Sequence, residues 1–155
     1  MAKLAETLPY REEFEGLDFT NSPIVLGVNI EVVVGDLYLA LKRSEENSTH
    51  KGYYNNVAGH IIGRTKFDIL RSAFKELGEE IGLFPPFNGN VRVGGIIQVP
   101  RQGQMLHLVA VRVELEEPHD VLLNGEHTEA LWLPKAERAR LWPQVQSVSL
   151  VERHF

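Results

Sequence analysis

The chain has 155 residues, of which 43% are hydrophobic and 24% charged, so it is long enough to form one globular domain with a substantial core. Its net charge of -5 argues against a general binder of nucleic-acid polymers, which would present a basic face. It contains no cysteine, and this excludes a disulfide framework, a thiol nucleophile and a thiolate metal site.

The sequence offers neither a membrane-spanning segment nor a secretion signal. No apolar run reaches the length of about 20 residues that a membrane-spanning helix needs, and residues 1–6 lack the apolar segment of a signal peptide. We therefore expect a cytoplasmic protein without a membrane partner. The polar residues 1–22 are expected to form an arm packed on a single domain at residues 23–155.

The first predicted elements form a hairpin that ends in a basic pair. Ile24–Val34 is rich in β-branched residues, and a glycine–aspartate turn separates it from a partner strand at residues 37–41. The basic pair that follows, Lys42 and Arg43, leaves two interpretations open. Arg43 could bind a substrate phosphate through charge-assisted hydrogen bonds, or the pair could be a solvated strand end.

A second strand region leads into a glycine turn. Residues 52–57 are predicted to form a strand that runs to Gly59. Tyr53 and Tyr54 are candidates for stacking on the base or sugar of a substrate, although a tyrosine in a strand more often packs against its neighbours. His60, at the turn itself, is a further candidate for substrate binding.

An amphipathic helix follows and ends at Gly82, which suits a helix C-cap. At about 100° per residue, its apolar residues share one face, and its glutamates share another. Like charges at this spacing destabilise a helix by a few tenths of a kcal/mol. The acidic stripe is therefore either a solvated face or a site for Mg²⁺, whose usual ligands are carboxylates. The apolar face comprises Ile69, Ala73, Leu77 and Ile81, and the acidic stripe comprises Glu76, Glu79 and Glu80.

Strands and a short helix complete the chain. Residues 91–99 and 105–115 are predicted to pair as a hairpin, and residues 126–133 form a last strand. A helix at Lys135–Leu141 then begins after Pro134, a residue favoured in the first turn. Strands on both sides of one long helix indicate an α+β domain.

Residues 75–83, K-E-L-G-E-E-I-G-L, resemble the second half of the signature of the Nudix hydrolase family. That signature is G, five residues, E, seven residues and R-E-U-x-E-E-x-G-U, where U is aliphatic. Gly59 corresponds to the opening glycine but lies two residues too far upstream. Phe67 stands at the middle glutamate, with Asp68 beside it, and Lys75 stands at the arginine. The residues that match in register are Glu76, Leu77, Glu79, Glu80, Gly82 and Leu83.

The resemblance implies an α/β/α sandwich around a mixed sheet and a hydrolase that cleaves a diphosphate linkage. It implies that Glu76, Glu79 and Glu80 hold Mg²⁺ or Mn²⁺, with the Gly59 carbonyl as a further ligand. Lys75 would orient a carboxylate of the box, more loosely than arginine because it lacks the planar fork. Asp68 is either a helix N-cap or first-turn residue, or a substitute for the missing glutamate. The partner would be a small-molecule diphosphate, and a homodimer is left open.

Two questions remain open at the level of the sequence. The family places its general base either within the box, here Glu79 or Glu80, or on a later loop. That part of the chain offers Glu126, His127 and Glu129, of which Glu126 and Glu129 are the candidates. The altered box also leaves an alternative function. The chain could be a binding module of the same fold that senses a nucleotide or a sugar phosphate without cleaving it.

Overall fold

The computed structural model describes residues 6–8, 24–44, 54–61, 66–101 and 104–141. Within these residues, two helices and eight strands are present. The helices are α1 (Lys66–Ile81) and α2 (Lys135–Leu141). The strands are β1 (Glu6–Leu8), β2 (Ile24–Val34), β3 (Leu37–Arg43), β4 (Tyr54–Asn55), β5 (Val57–His60), β6 (Gly89–Arg101), β7 (Gln104–Leu115) and β8 (His127–Pro134).

The strands form one mixed sheet with β2 near its centre. The main path runs β1-β6-β7-β2-β3-β4, and β5 and β8 join it by pairing with β2 and β3. β2 and β7 pair in parallel, from Ile24 opposite Met105 to Val34 opposite Leu115. The other pairs are antiparallel. β2 meets β3 only at Val33 and Val34. β3 therefore diverges from β2 after this short contact, and β5 pairs with the same edge of β2 from Gly27 to Ile30.

The predicted elements agree closely with these bounds. β2 and α2 begin and end where the sequence predicted. The strand expected at residues 52–57 is two shorter strands, β4 and β5. β1 has no counterpart among the predicted elements; it lies in the arm and pairs with β6 from Glu6 opposite Gln98 to Leu8 opposite Ile96.

The two helices cover opposite faces of the sheet. The apolar face of α1 packs on alternate residues of the strands, among them Val28, Ile30 and Leu39. The residues between them, such as Glu31 and Tyr38, point to the other face, because successive side chains of a strand alternate. Arg138 of α2 meets them there, since its guanidinium lies 4.0 Å from the Tyr38 ring centroid. This confirms the predicted α/β/α sandwich.

A buried ion pair fixes α2 to its face. Arg138 is fully buried, and its Nη2 donates to Glu31 Oε1 at 2.5 Å. Arg112 on β7 lies beside the same carboxylate, with Nε 3.3 Å from Oε2, and its Nη2 donates to the Tyr38 hydroxyl at 2.9 Å. Because Glu31 meets a cation from α2 and another from β7, it connects the helix to the centre of the sheet.

A left-handed glycine ends α1. Gly82 has φ of 70°, and its N–H donates to the Gly78 carbonyl at 3.1 Å, as in the αL cap. The Phe84 ring then folds back over Gly78, where a Cβ would lie 2.5 Å from its Cε1. A side chain at position 78 would therefore have to displace the Phe84 ring. Among the described residues, no helix combines the length and apolar character needed to cross a membrane.

Candidate active site

The acidic stripe of α1 runs from solvent into the interior. Glu79 keeps 54% of its side-chain surface exposed, whereas Glu80 is only 4% exposed and Glu76 is intermediate. Lys75 lies at the solvent end, with Nζ 3.5 Å from Glu79 Oε1. The three predicted metal ligands thus share one side of the helix but differ in how much water reaches them. The orienting role of Lys75 stays a prediction.

Gly59 brings the backbone of β5 against Glu76. The pairing of Gly59 with Val28 sets it on the α1 face of the sheet. A Cβ at position 59 would lie 2.1 Å from Glu76 Cδ and 2.3 Å from Oε1, so only glycine fits with the carboxylate in place. The longer loop between the two residues therefore does not prevent the contact between the opening glycine and the first glutamate of the helix.

Glu76 and Glu80 form a hydrogen-bonded carboxyl pair. Burial, together with the charges of Glu76 and Glu126, raises the pKa of Glu80 to about 9. Burial also raises the pKa of Glu76, against the lowering effect of its hydrogen bond with Glu80. Without a cation, Glu80 therefore keeps its proton near neutral pH. A divalent cation beside the pair would favour the ionised forms of both carboxyls.

A tight turn positions Glu126 and His127 next to the carboxyl pair. The Glu126 N–H donates to Asn124 Oδ1 at 3.0 Å, and the Ser44 N–H donates to the Glu126 carbonyl at 2.9 Å. The second bond ties the turn to the end of β3. One ligand atom from each of Glu80, Glu126 and His127 lies within 4.8 Å of the others, and we refer to these three residues as the cluster. Glu126 is exposed, so it approaches Glu80 and His127 from the solvent side.

His127 is the buried member of this group. It is 3% exposed, and its Nε2 lies 3.7 Å from Glu80 Oε1. Burial, together with the charge of Arg43, lowers the pKa of His127 to about 4. The imidazole is therefore neutral near pH 7. Sequence reasoning noted His127 only as a neighbour of the two base candidates, because nothing local distinguishes an inward histidine from a surface one.

A β-bulge separates the two base candidates. Lys42 pairs with Glu129, but the next residue, Arg43, pairs with His127, so β8 gains one residue at this point. Residues 127 and 129 would otherwise share a face. His127 instead meets Glu80 on the α1 face, whereas Glu129 accepts a hydrogen bond from the Tyr54 hydroxyl at 3.0 Å. Tyr54 packs against Ala40, on the α2 face.

The predicted substrate-binding residues are distributed over both faces. Arg43 lies at the end of β3 opposite His127, and its charge acts on that imidazole. His60 is exposed at the end of β5, one residue beyond Gly59. Tyr54 is on the α2 face, and burial raises the pKa of its hydroxyl, with help from Glu129. Tyr53 lies outside the described residues.

The residues at the missing middle glutamate do not reach the cluster. Phe67 is 70% exposed, and the Arg71 guanidinium carbon lies 5.4 Å from its ring centroid. Asp68 accepts a hydrogen bond from Arg71 Nη2 at 2.5 Å, in the first turn of α1. From there to Glu76 is roughly 12 Å along the axis, at 1.5 Å per residue. This distance favours the first-turn role of Asp68 over a ligand role.

The donor set suits a hard or borderline divalent cation. Among the described residues, the ligand atoms that lie within 4.8 Å of one another belong to Glu80, Glu126 and His127, so this group includes one of the three predicted glutamate ligands. Glu80 Oε2 is buried without a hydrogen-bond partner among the described residues, and carboxylate oxygens are the usual ligands of hard divalent cations. A buried carboxylate oxygen of this kind needs a compensating partner. The cluster can therefore hold a cation, order a phosphorylated compound against it and place the exposed Glu126 carboxylate nearby.

No protein-family model and no curated protein matches the sequence. Solved structures do. The MutT protein from Methanosarcina mazei Go1 shares 18% identity at a TM-score of 0.68, covering 86% of this chain and 94% of that one. A C. elegans Ap4A hydrolase complex shares 16% identity at a TM-score of 0.66, with 83% and 93% covered.

The Nudix domain of Shewanella oneidensis NrtR, complexed with ADP ribose, is also similar. It shares 14% identity at a TM-score of 0.65, covering 83% of this chain and 86% of that one. The chain therefore has the Nudix hydrolase fold, over most of its described length. At the level of the fold, this confirms the resemblance drawn from residues 75–83.

Proposed function

We propose that this Nudix-fold protein is a metal-dependent hydrolase that cleaves a diphosphate linkage in a nucleoside diphosphate derivative or a similar compound. The observation that carries the proposal is the carboxyl pair of the half-buried Glu76, packed against Gly59, and the buried Glu80. Burying two interacting carboxyls is costly for a fold that gains nothing from them. A bound divalent cation offsets that cost.

The cation is proposed to be Mg²⁺ or Mn²⁺, held by Glu76, Glu79 and Glu80, with the Gly59 carbonyl as a further ligand. When bound, such an ion neutralises the diphosphate and lowers the pKa of water for in-line attack at phosphorus. The protein contributes the fixed geometry. Gly59 leaves the space that the Glu76 carboxylate occupies, and the exposed position of Glu79 leaves room on the solvent side for a phosphorylated substrate.

Glu126 is proposed as the general base. Its carboxylate is exposed and lies within 4.8 Å of the Glu80 and His127 ligand atoms, so it can accept the proton of the attacking water. Glu129 is the weaker candidate because it accepts a hydrogen bond from Tyr54 on the α2 face. Arg43, beside His127, is proposed to bind a phosphate of the substrate by charge-assisted hydrogen bonds.

A sensor that binds without cleaving is the second candidate. Two observations favour it: the middle glutamate is replaced by an exposed phenylalanine, Phe67, and Asp68 is engaged by Arg71. The complex of the NrtR domain with ADP ribose supports a nucleotide-sugar ligand for either function. The two candidates differ in one measurable respect, which is turnover with metal present.

The primary test is a hydrolysis screen combined with a metal titration. The protein is incubated with nucleoside diphosphate derivatives, including ADP ribose and Ap4A, and Mg²⁺ or Mn²⁺, and phosphate is read after phosphatase coupling. Glu79→Gln should weaken metal binding in calorimetry and lower turnover by about two or more orders of magnitude, because the metal supplies several kcal/mol at the transition state. Glu114→Gln, on β7, is the matched control.

Binding without turnover of any compound would favour the sensor. Equal metal affinity and equal turnover in Glu79→Gln would remove that residue from the site. For the base, Glu126→Gln should lower kcat by roughly 10²–10⁴-fold with little change in metal affinity. Full activity of Glu126→Gln would return the base to the box, where Glu79 and Glu80 are the candidates.

A further inference from the structure

We infer that the cation site takes a nitrogen ligand, His127, and favours a transition metal such as Mn²⁺ or Co²⁺ over Mg²⁺. The inference rests on the proposed function only for the position of the cation beside Glu80. It adds an imidazole to a ligand set that sequence reasoning built from oxygen atoms alone.

The first observation is that the imidazole is buried without partners. His127 is 3% exposed, and neither Nδ1 nor Nε2 has a hydrogen-bond partner among the described residues. An imidazole nitrogen without a partner in the interior loses the hydrogen bonds it made with water. A metal ion is one of the few partners that would restore this loss, and neutral imidazole is a common metal ligand.

The second observation is that the ring lies against the Glu80 carboxyl, one oxygen of which has no hydrogen-bond partner in the described residues. Nε2 of His127 lies 3.7 Å from Oε1 of Glu80, and the other oxygen of that carboxyl, Oε2, is buried without a hydrogen-bond partner in the described residues. Two donor atoms that each lie about 2.1 Å from one cation are separated by roughly 3–4 Å. The spacing of His127 and Glu80 is therefore that of two ligands of one ion.

The third observation is that the chain holds the ring in this position. The bulge between Lys42 and Arg43 directs His127 towards α1, and the hydrogen bond from Ser44 to the Glu126 carbonyl ties the turn to β3. Glu126 lies within 4.8 Å of both His127 and Glu80 but on the solvent side. His127 would therefore hold the ion from the interior, and Glu126 would remain available on the solvent side as a proton acceptor.

The ligand types set the metal preference. Carboxylates, carbonyls and water suit Mg²⁺, whereas imidazole suits transition metals, whose affinities rise from Mn²⁺ towards Co²⁺ and beyond. A site with one imidazole and several carboxylates is thus a better fit to Mn²⁺ or Co²⁺.

The direct test is pulsed electron paramagnetic resonance on the full chain loaded with Mn²⁺. The wild-type protein should show coupling of the ion to one imidazole nitrogen, and growth with ¹⁵N-histidine should change that coupling. His127→Gln should abolish it. His119→Gln is the matched control and should retain it, because the His119 ring lies 2.9 Å from the Ile81 carbonyl, outside the cluster.

Calorimetry gives a second, independent readout. Loss of a residue that merely supports a ligand typically lowers metal affinity by about 10–100-fold, so His127→Gln should weaken Co²⁺ binding by at least about tenfold. Mg²⁺ affinity should change much less, since Mg²⁺ gains little from a nitrogen ligand.

The outcomes separate this inference from the proposed function. Absence of nitrogen coupling in the wild-type protein overturns the inference, and this result needs no variant to fold. Oxygen-only ligation in a protein that hydrolyses its substrate would leave the proposed function standing. Nitrogen coupling that depends on His127, in a protein that hydrolyses nothing, would support the site and count against the enzyme.

Discussion

Glu80 should make the metal-free protein less stable as the pH rises. Its pKa is raised from an ordinary 4.5 to about 9 by burial and by Glu76, so the folded state keeps a proton that the unfolded state releases. The stabilising effect of the neutral carboxyl is complete below the unfolded pKa. It is lost as the pH rises towards the folded pKa, at up to about 1.4 kcal/mol per pH unit.

The choice of pH window separates this effect from that of His127. Burial lowers the pKa of His127 from 6.5 to about 4, so its contribution is lost only as the pH falls below 6.5. Between about pH 7 and 8.5, the Glu80 effect should therefore cost about 2 kcal/mol of unfolding free energy without a contribution from His127. The assay is urea unfolding in the presence of a chelator, at several pH values across this window.

Glu80→Gln should remove most of this slope, because glutamine does not titrate. Glu79→Gln is the control and should leave the slope in place, since that side chain is 54% exposed. Parallel pH profiles for the wild-type protein and Glu80→Gln would refute the reasoning. They would show that water reaches the carboxyl and that its environment is not the one described.

Two further predictions concern the faces of the sheet. Leu77→Ala removes a fully buried side chain from the α1 face and should cost about 2–5 kcal/mol in urea unfolding; Phe67→Ala, at an exposed position of the same helix, should cost less than about 0.5. Arg138→Met leaves a buried carboxylate with one cation fewer and should cost about 3 kcal/mol or more. Arg92→Met, which breaks an exposed ion pair, should cost less than about 1 kcal/mol. Similar losses in the two arginine variants would show that the buried ion pair of Arg138 and Glu31 does not fix α2 to the sheet.

The local sequence pattern was sufficient to predict the helices and most strands, but it did not predict the burial of Glu80. The 3.6-residue period of α1 assigns Leu77 and Glu76 to different faces, and β-branched residues indicate β2. Both patterns can be recognised because they depend only on residues that are close in the sequence. The burial of Glu80 has no such signal. It arises because the turn before β8 closes over the helix, a contact between residues far apart in the chain.

The assignment of the base shows the same limit more sharply. Glu126 and Glu129 are both acidic residues near the start of one predicted strand, and alternation alone would place His127 and Glu129 on one face. A single extra residue in β8 reverses this. Bulges depend on the register between strands, which the sequence of one strand does not determine. The short strand β1 is missed for a related reason. Its three residues have no strand pattern of their own, and they form a strand only by pairing with β6.

The parallel pairing of β2 with β7 has a consequence for the order in which the chain folds. Ile24 meets Met105, so the central pair joins segments about 80 residues apart, and the site-bearing segments β5 and α1 lie between them. Such non-local pairings must overcome the entropy cost of closing a long loop, and they slow folding relative to local contacts. A nascent chain that has not yet supplied β7 would leave one edge of β2 without its partner. The helix that carries the glutamates would then have only part of the surface on which it packs, so we expect the site to assemble late.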